Sequence, residues 1–229
     1  MTPIPFRHRF IVFDLDGTLV DSQHTIVHCM GEAFDAVGLE RPGAGAVRGI
    51  IGLTLEVAVA ELLPPEMQGD APRVAGLYRE AFHARLGRPD HDDPLFDGVR
   101  ETLAALDHPE LLLGIVTGKN RRGLLRVLDH HGLQHHFATL KTADDGPSKP
   151  HPQILQMAMV EVGAEPQDTV MIGDTAFDIE MARAAGCDAI GVDWGYHHRD
   201  QLYAAGAGVV IDRFDELEGA MTRLEGSPR

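Results

Sequence analysis

The sequence predicts an α/β protein with a doubly wound, Rossmann-like parallel sheet and an inserted segment that is entirely helical. Three observations lead to this prediction. Short apolar runs alternate with amphipathic stretches through the second half of the chain, which is the pattern of parallel strands joined by helices. Several of these runs end directly in acids or in a threonine. Between residues 21 and 92 the alternation stops, and only helical patterns occur.

The first predicted strand covers residues 10–13 and ends in a pair of acids, Asp14 and Asp16. Ligands of open α/β sheets bind at the carboxyl ends of the strands. In an extended backbone both carboxylates would share one face, and Gly17 permits the sharp turn that follows. Two carboxylates this close require a cation or a proton between them. The pair therefore indicates either a bound metal or a nucleophile beside an acid/base.

The segment after this strand predicts three helices, over residues 22–37, 54–63 and 72–86. Gly43, Gly45 and Gly49 predict a loop between the first two helices, and Pro64 and Pro65 end the second. A polar, proline-bearing return over residues 87–94 leads back to the sheet. The segment is therefore expected to pack as a unit of its own.

The remaining chain predicts the other strands and their helices. Helices are expected over residues 97–106, 121–131, 152–162 and 177–185, and strands over 111–116, 137–140, 169–172 and 189–192, with further elements to about 223. Three short motifs stand at the joints: Thr117-Gly118-Lys119-Asn120 after the second strand, Ser148-Lys149-Pro150 before a helix, and Gly173-Asp174-Thr175-Ala176-Phe177-Asp178 after a later strand.

Composition excludes several classes of function. A formal net charge of −15 argues against nucleic acid as a partner, because phosphate backbones require a basic face. Two distant cysteines without CxxC spacing argue against a disulfide framework or a zinc cluster. No stretch approaches the ~20 apolar residues of a membrane-spanning helix, and no secretion signal is visible at the amino terminus. A cytoplasmic protein without a membrane partner is expected.

In this order, the acid pair, the threonine, the lysine and the second acid pair resemble the four motifs of the haloacid dehalogenase-like (HAD) hydrolases. Phe96-Asp97-Gly98-Val99 and Gly191-Val192-Asp193-Trp194-Gly195-Tyr196 are most similar to the phosphoglycolate phosphatase branch of subfamily I. The resemblance implies a catalytic core of residues 1–20 and 93–229, with a helical cap domain of residues 21–92. It also implies a Mg²⁺-dependent phosphatase that forms an aspartyl-phosphate from a small phosphorylated metabolite. Phosphoglycolate is the leading substrate, and other small phosphoesters, nucleotides and pyrophosphate stay open.

The resemblance implies a catalytic role for Asp14 as nucleophile and for Asp16 as general acid and base. Thr117, with the backbone N–H groups of Gly118 and Lys119, would bind the phosphoryl oxygens. Lys149 would bridge the phosphoryl group and the nucleophile. The side chain of Lys119 is expected to face solvent.

Mg²⁺ is the cofactor that the resemblance implies. Its expected ligands are the Asp14 side chain, the Asp16 backbone carbonyl and Asp174, while Asp178 would orient a metal-bound water. The alternative for Asp174 and Asp178 is capping of a helix N-terminus. By position alone, Arg48 in the helical cap is a candidate for binding a substrate carboxylate, or else a surface arginine.

Two other interpretations stay open, and a third, a dehalogenase, is disfavoured. Dehalogenases of this superfamily lack the second aspartate, so Asp16 favours a phosphatase. A related sugar-phosphate mutase usually has a histidine where this chain has Ile26, although His24 lies close by. A receiver-like or phosphate-binding protein would keep the fold without turnover, and the presence of Asp16 and Lys149 argues against it. A monomer or a homodimer is expected.

Overall fold

A six-stranded parallel sheet forms the centre of the protein, as seen in a computed structural model that describes residues 4–86, 88 and 92–224. Its strands are β1 (Phe10–Phe13), β2 (Leu112–Val116), β3 (Thr139–Lys141), β4 (Thr169–Gly173), β5 (Asp188–Val192) and β6 (Val209–Ile211). They lie in the order β3-β2-β1-β4-β5-β6, and each neighbouring pair is parallel. The strand order reverses between β1 and β4, where open sheets of this kind bind ligands at the carboxyl ends.

Helices cover both faces of this sheet and also form a separate insert. They are α1 (Gln23–Asp35), α2 (Ala44–Arg48), α3 (Leu55–Leu62), α4 (Ala71–Leu86), α5 (Val99–Ala105), α6 (Arg121–His131), α7 (Gln153–Val162), α8 (Ala176–Ala184), α9 (Arg199–Ala204) and α10 (Leu217–Leu224). None of the helices in the described ranges has the length and apolar character that crossing a bilayer requires.

Alternate side chains of β1 point to opposite faces of the sheet, and each face has its own hydrophobic core. Ile11 and Phe13 pack in a cluster with residues of α5, α6 and α10. Phe10 and Val12 pack in a second cluster with residues of α7, α8 and α9. All four side chains are fully buried, and burial stabilises the fold by about 1.5–3 kcal/mol for each large apolar side chain. The sheet is therefore doubly wound, and the predicted fold class is confirmed.

The helical insert, α1 to α4, has a hydrophobic cluster of its own. Apolar side chains from all four helices contribute to it, including Phe34, Val47, Val59 and Val74. The chain leaves and re-enters the core side by side, because Asp21 N donates to the carbonyl of Pro94 (2.8 Å) and the N–H of Phe96 donates to the carbonyl of Leu19 (3.1 Å). This arrangement is compatible with domain limits at residues 20/21 and 92/93, which stay a prediction. Residues 1–3, 87, 89–91 and 225–229 of the predicted domains lie outside the described residues.

One predicted loop is a helix in the structure. The glycine-containing stretch between α1 and α3 forms the five-residue helix α2. The glycines lie mainly at its ends, Gly43 before the first helical residue and Gly49 after the last, while Val47 is fully buried in the cluster of the insert. Tertiary packing of Val47 therefore compensates for the low helix propensity of glycine.

Candidate active site

Asp14 lies at the carboxyl end of β1, in the centre of the sheet. Its side chain is 1% exposed, and Lys149 Nζ lies 2.7 Å from Oδ1. Lys149 is thus the ionic partner of Oδ1, whereas Oδ2 accepts no hydrogen bond from the described residues. Burial raises the pKa of Asp14 to about 7, against the opposing effect of Lys149. A buried carboxylate with unused lone pairs is suited to bind a cation or to attack an electrophile.

Lys149 is fully buried between two carboxylates. Its Nζ lies 2.7 Å from Asp14 and 2.5 Å from Asp178 Oδ1. Burial opposes the ammonium form, but the two carboxylates outweigh it and raise the pKa of Lys149 above its usual value. The structure thus brings Lys149 to the predicted nucleophile. It lies behind Asp14, outside the residues that line the cavity described below.

Asp174 follows β4 directly and is held from two sides. Its Oδ1 accepts a hydrogen bond from Thr18 Oγ1 (2.9 Å), and its Oδ2 accepts one from the N–H of Tyr196 (3.0 Å). A Cβ atom added to Gly17 would lie 2.2 Å from Asp174 Oδ2, and Gly17 has a φ of +93°. Only glycine therefore permits the turn after Asp16 to pass so close to Asp174.

Asp178 has contacts that differ from its expected role. Oδ1 accepts the hydrogen bond from Lys149, and Oδ2 accepts hydrogen bonds from the backbone N–H (3.1 Å) and the hydroxyl (2.7 Å) of Thr175. Thr175 and Asp178 form a capping box at the start of α8, which satisfies backbone donors at that helix end. The capping alternative is therefore found for Asp178, and the same side chain also orients Lys149.

Asp16 is held by two side chains, and this arrangement corrects the expectation for Lys119. Lys119 Nζ donates to both carboxylate oxygens of Asp16 at 2.9 Å, and Ser22 Oγ donates to Oδ1 at 2.6 Å. Lys119 is only 11% exposed and its Nζ lies 5.3 Å from the ring centre of Phe82. The prediction that its side chain faces solvent is wrong, because the helical insert covers it and the Asp16 carboxylate attracts it.

Thr117 and Gly118 lie under a loop of the helical insert. Thr117 is buried after β2, and its Oγ1 accepts a hydrogen bond from the N–H of Lys119 (3.2 Å). A Cβ atom on Gly118 would lie 2.4 and 2.6 Å from the carbonyl oxygens of Gly52 and Leu53. These two residues belong to the insert loop, residues 49–54. Any larger residue at position 118 would push the insert loop away from the core.

A cavity of about 440 Å³ separates the helical insert from the core at this point. The core contributes Asp14, Asp16, the 117–120 segment, part of α6 and the loop around Ser148. The insert contributes mostly apolar side chains, namely Ile26, Met30, Ile50, Ile51, Leu53, Leu55, Ala58, Tyr78, Phe82 and Leu86. The loop also touches the core directly, because the N–H of Thr54 donates to Ser148 Oγ (2.9 Å).

The structure does not bring Arg48 into this cavity. Its Nη1 donates to Gln23 Oε1 (3.3 Å), and it lines a second, separate depression on the insert with residues of α1, among them His24 and His28. Arg48 is the last residue of α2, and the backbone after it turns into the insert loop. The prediction that Arg48 reads a substrate carboxylate is therefore not supported by this structure.

The carboxylates at the site could hold a metal ion. Oxygen atoms of Asp14, Asp174 and Asp178 lie within 4.8 Å of one another, and all three residues are buried. Counting Asp16 gives four carboxylates against the ammonium groups of Lys119 and Lys149. If all are ionised, two negative charges are uncompensated. Burial, together with the nearby carboxylates, raises the pKa of Asp174 well above its usual value, so a hard divalent cation fits this donor set.

Several residues at the site were not anticipated as parts of it. Thr18 and the backbone of Tyr196 orient Asp174, and Ser22 orients Asp16. Both Thr18 and Ser22 stand in the same short stretch as the first acid pair, so that pattern contained a signal for them. His197 offers no such signal. Its Nδ1 accepts from the N–H of Ala176 (3.1 Å), so its Nε2 donates to the carbonyl of Gly49 (3.3 Å) and links α8 to the insert loop.

Comparisons with known proteins agree with this geometry. The model of the family described as haloacid dehalogenase-like hydrolase matches residues 11–192. The protein named "Probable phosphatase IndB" of Dickeya dadantii is 36% identical, over 95% of this chain and 96% of its own length. The phosphoglycolate phosphatase of Photobacterium profundum is 31% identical, over 91% and 93%. A solved haloacid dehalogenase-like family hydrolase from Streptococcus pneumoniae superposes with a TM-score of 0.79 at 26% identity, covering 93% of this chain and 98% of its own.

The family match spans the first acid pair, Thr117, Lys149 and Asp174, and these are the residues that the structure gathers at the carboxyl ends of the central strands. The relatives match nearly end to end, helical insert included. The chain therefore belongs to the haloacid dehalogenase-like hydrolase family, in its phosphoglycolate phosphatase-like branch.

Proposed function

We propose that this phosphatase hydrolyses a small phosphomonoester with Mg²⁺, through a phosphorylated Asp14. The observation that supports the proposal most is the state of Asp14. Its carboxylate is buried at the switch point of the sheet and pairs with Lys149 through Oδ1. Its Oδ2 accepts no hydrogen bond from the described residues, and the carboxylate borders a cavity large enough for a substrate. A carboxylate nucleophile divides a very slow hydrolysis into two easier steps.

In the first step an Asp14 oxygen would form a bond to phosphorus while the bond from phosphorus to the ester oxygen breaks. Asp16 would give its proton to that leaving oxygen. In the second step Asp16 would take a proton from water, whose oxygen displaces Asp14 from phosphorus and releases inorganic phosphate. Lys119 and Ser22 bind Asp16 in its carboxylate form, which suits the second transfer. For the first transfer one of these contacts would give way to the proton that Asp16 carries.

Charge on the phosphoryl group has to be compensated in a site with several carboxylates. Lys149, Thr117 and the backbone N–H groups of Gly118 and Lys119 would donate to the phosphoryl oxygens and to Asp14. The Asp14 side chain, the Asp16 carbonyl and Asp174 would hold Mg²⁺, which would supply further neutralisation of the phosphoryl charge. Thr18 and Tyr196 keep Asp174 in a fixed orientation for this role.

Phosphoglycolate is the single compound that the sequence favours as substrate, and relatives such as the one from Photobacterium profundum carry it in their name. Arg48, the predicted partner of the phosphoglycolate carboxylate, does not line the active-site cavity. The support for phosphoglycolate is therefore the relatives alone. A cytoplasmic location and a monomeric or homodimeric state stay predictions.

Phosphate release from a panel of small phosphoesters, with Mg²⁺ and with a chelator, tests the proposal. The wild-type enzyme is expected to release phosphate only with Mg²⁺, and Asp14→Asn to release none, because an amide cannot form the acyl phosphate. Asp129→Asn, at an exposed position of α6, serves as the matched control and keeps full activity. Substantial turnover by Asp14→Asn would overturn the proposal, and net conversion of one sugar phosphate into another would favour the mutase instead.

A further inference from the structure

The walls of the active-site cavity suggest a larger alcohol than that of phosphoglycolate. Cavities of about 300–1,000 Å³ hold ligands of drug size, and this one measures about 440 Å³. Phosphoglycolate offers only a two-carbon acid for the space beyond the phosphoryl group. Most of the insert side of the cavity is formed by aliphatic and aromatic side chains, with Thr54, Glu56, Arg79 and His83 as the polar exceptions. The apolar majority contributes binding energy to an apolar group but none to a carboxylate.

Two aromatic rings form a shelf on that wall. Tyr78 and Phe82 lie one turn apart on α4, with ring centres 5.9 Å apart and planes inclined by 27°. We call this pair the aromatic shelf. Both rings line the cavity. Within the described part of the chain the Tyr78 hydroxyl makes no hydrogen bond, so it is available to a polar atom of a ligand.

The aromatic shelf is adjacent to the reacting groups. Lys119 Nζ lies 5.3 Å from the centre of the Phe82 ring and 2.9 Å from both oxygens of Asp16. Asp16 is the residue that would protonate the leaving oxygen. An alcohol that leaves phosphorus and takes its proton from Asp16 would therefore lie near the shelf, and a ring close to its oxygen can pack there.

The cations of the cavity are poorly suited to read a substrate carboxylate. Arg79 is paired with Glu56, and Lys119 is paired with Asp16. Arg122 and Arg126, on α6, are exposed. A carboxylate that pairs with Arg79 or Lys119 would displace an existing pair, whereas an uncharged ring leaves both existing pairs intact. A carboxylate that pairs with the exposed Arg122 or Arg126 would gain little, because ion pairs in contact with solvent are weak.

Building on the proposed phosphatase activity, we propose that the substrate is a phosphomonoester whose alcohol carries an aromatic or heteroaromatic ring, and that this ring stacks on the aromatic shelf. A polar atom of the ring would bond to the Tyr78 hydroxyl. The chemical class includes nucleoside monophosphates and other phosphorylated heterocycles, and it excludes phosphoglycolate as the preferred substrate.

Two pairs of esters isolate the ring. Benzyl phosphate and cyclohexylmethyl phosphate both release primary alcohols of similar size, and only the first is flat and aromatic. The wild-type kcat/KM is expected to favour benzyl phosphate by roughly two- to tenfold, the range of an aromatic contact beyond its buried area. Uridine 5′-monophosphate and ribose 5-phosphate differ by a base alone. Stacking of that base is expected to raise kcat/KM for uridine 5′-monophosphate roughly five- to a hundredfold over that for ribose 5-phosphate. The kcat/KM values of both aromatic esters should also exceed that of phosphoglycolate.

Phe82→Leu keeps an apolar side chain and removes the ring, so both ratios should fall towards one. Glu80→Gln, at an exposed position on the same helix, should leave them unchanged. If Phe82→Leu acted only by disturbing Lys119, it would lower kcat/KM for all esters by the same factor, and the two ratios would not change. Wild-type ratios near one, or a preference for phosphoglycolate, would overturn this inference while leaving the phosphatase proposal intact. Failure of the wild-type enzyme to hydrolyse any of the esters would overturn both.

Discussion

Replacing Lys149 by methionine tests how the buried charges of the site stabilise one another. Methionine is similar in length to lysine and has no charge. The substitution leaves Asp14 and Asp178 without the ammonium group that lies 2.7 and 2.5 Å from them. Because all three side chains are buried, water cannot replace the lost partner without entering the core.

The expected cost follows from that burial. Removing one partner of a buried ion pair typically costs about 3–5 kcal/mol. For a protein of this size about 1 kcal/mol shifts Tm by roughly 2–4 °C, so the metal-free variant should melt roughly 6–20 °C below the wild type. Turnover should also fall sharply, because Lys149 would no longer compensate charge at the phosphoryl group.

The cost should depend on pH in a definite direction. The pKa of Asp14 in the folded protein is about 7, above its ordinary value of 3.8. A carboxyl group of this kind is tolerated when protonated and destabilises the fold as pH rises through the folded pKa. Lys149 opposes that rise, so without it the pKa of Asp14 increases further. The stability deficit of Lys149→Met is therefore larger at about pH 8 than at about pH 5.5, where Asp14 takes up a proton.

Thermal unfolding with a chelator present, at both pH values, measures this effect. The chain has three lysines, and Lys141→Met provides a matched control, because Lys141 pairs with Glu161, which is 48% exposed. Such a pair contributes about 0–1 kcal/mol. A deficit for Lys149→Met no larger than that of Lys141→Met, or one that grows as pH falls, would refute the reasoning.

Three other substitutions have distinct expected outcomes. Asp174→Ala should abolish turnover and also the stabilisation by Mg²⁺, which at 100 times Kd amounts to about 2.7 kcal/mol for a site that binds and is measured as a rise in Tm; an unchanged rise in Tm would exclude Asp174 as a metal ligand. Lys119→Met should lower kcat by roughly ten- to a hundredfold on alkyl phosphates and less on p-nitrophenyl phosphate, whose leaving group needs little protonation; equal losses would argue against a role through Asp16. Arg48→Ala should keep kcat/KM for phosphoglycolate within about twofold of the wild-type value, as expected for a surface site. A larger loss would indicate that Arg48 does contact the substrate.

Much of the core was predictable because its signals are local. The apolar run that ends at Phe13 identifies β1, and the acids after it must lie at the carboxyl end of a strand. Helix α6 begins and ends where the sequence predicts, because Asn120 caps its first turn and Gly132 adopts the left-handed conformation after its last. The edge strand β6 was not predicted individually and was covered only by the further elements expected to about residue 223.

The parts that sequence could not show depend on contacts between distant segments. The direction of the Lys119 side chain is set by Asp16 and by Phe82 of the helical insert, and neither is near it in sequence. Arg48 lies in the predicted segment before the insert loop. Because α2 packs into the insert through Val47, Arg48 lines the separate depression beside α1 and not the active-site cavity. Asp178 was predicted from its spacing to orient a metal-bound water, whereas its contacts to Lys149 and Thr175 appear only in three dimensions.

Chemical trapping of the phosphorylated enzyme tests the proposed mechanism most directly. Asp16→Ala lacks the base for the second step, so with p-nitrophenyl phosphate and Mg²⁺ it should release one burst of p-nitrophenol and retain the phosphoryl group. Borohydride reduces an acyl phosphate to an alcohol, and peptide mass spectrometry should then find homoserine at position 14 and at no other aspartate. The double variant Asp14→Asn/Asp16→Ala should give neither burst nor homoserine. Homoserine at a different position, or a burst that survives the loss of Asp14, would contradict the assignment of Asp14 as the nucleophile.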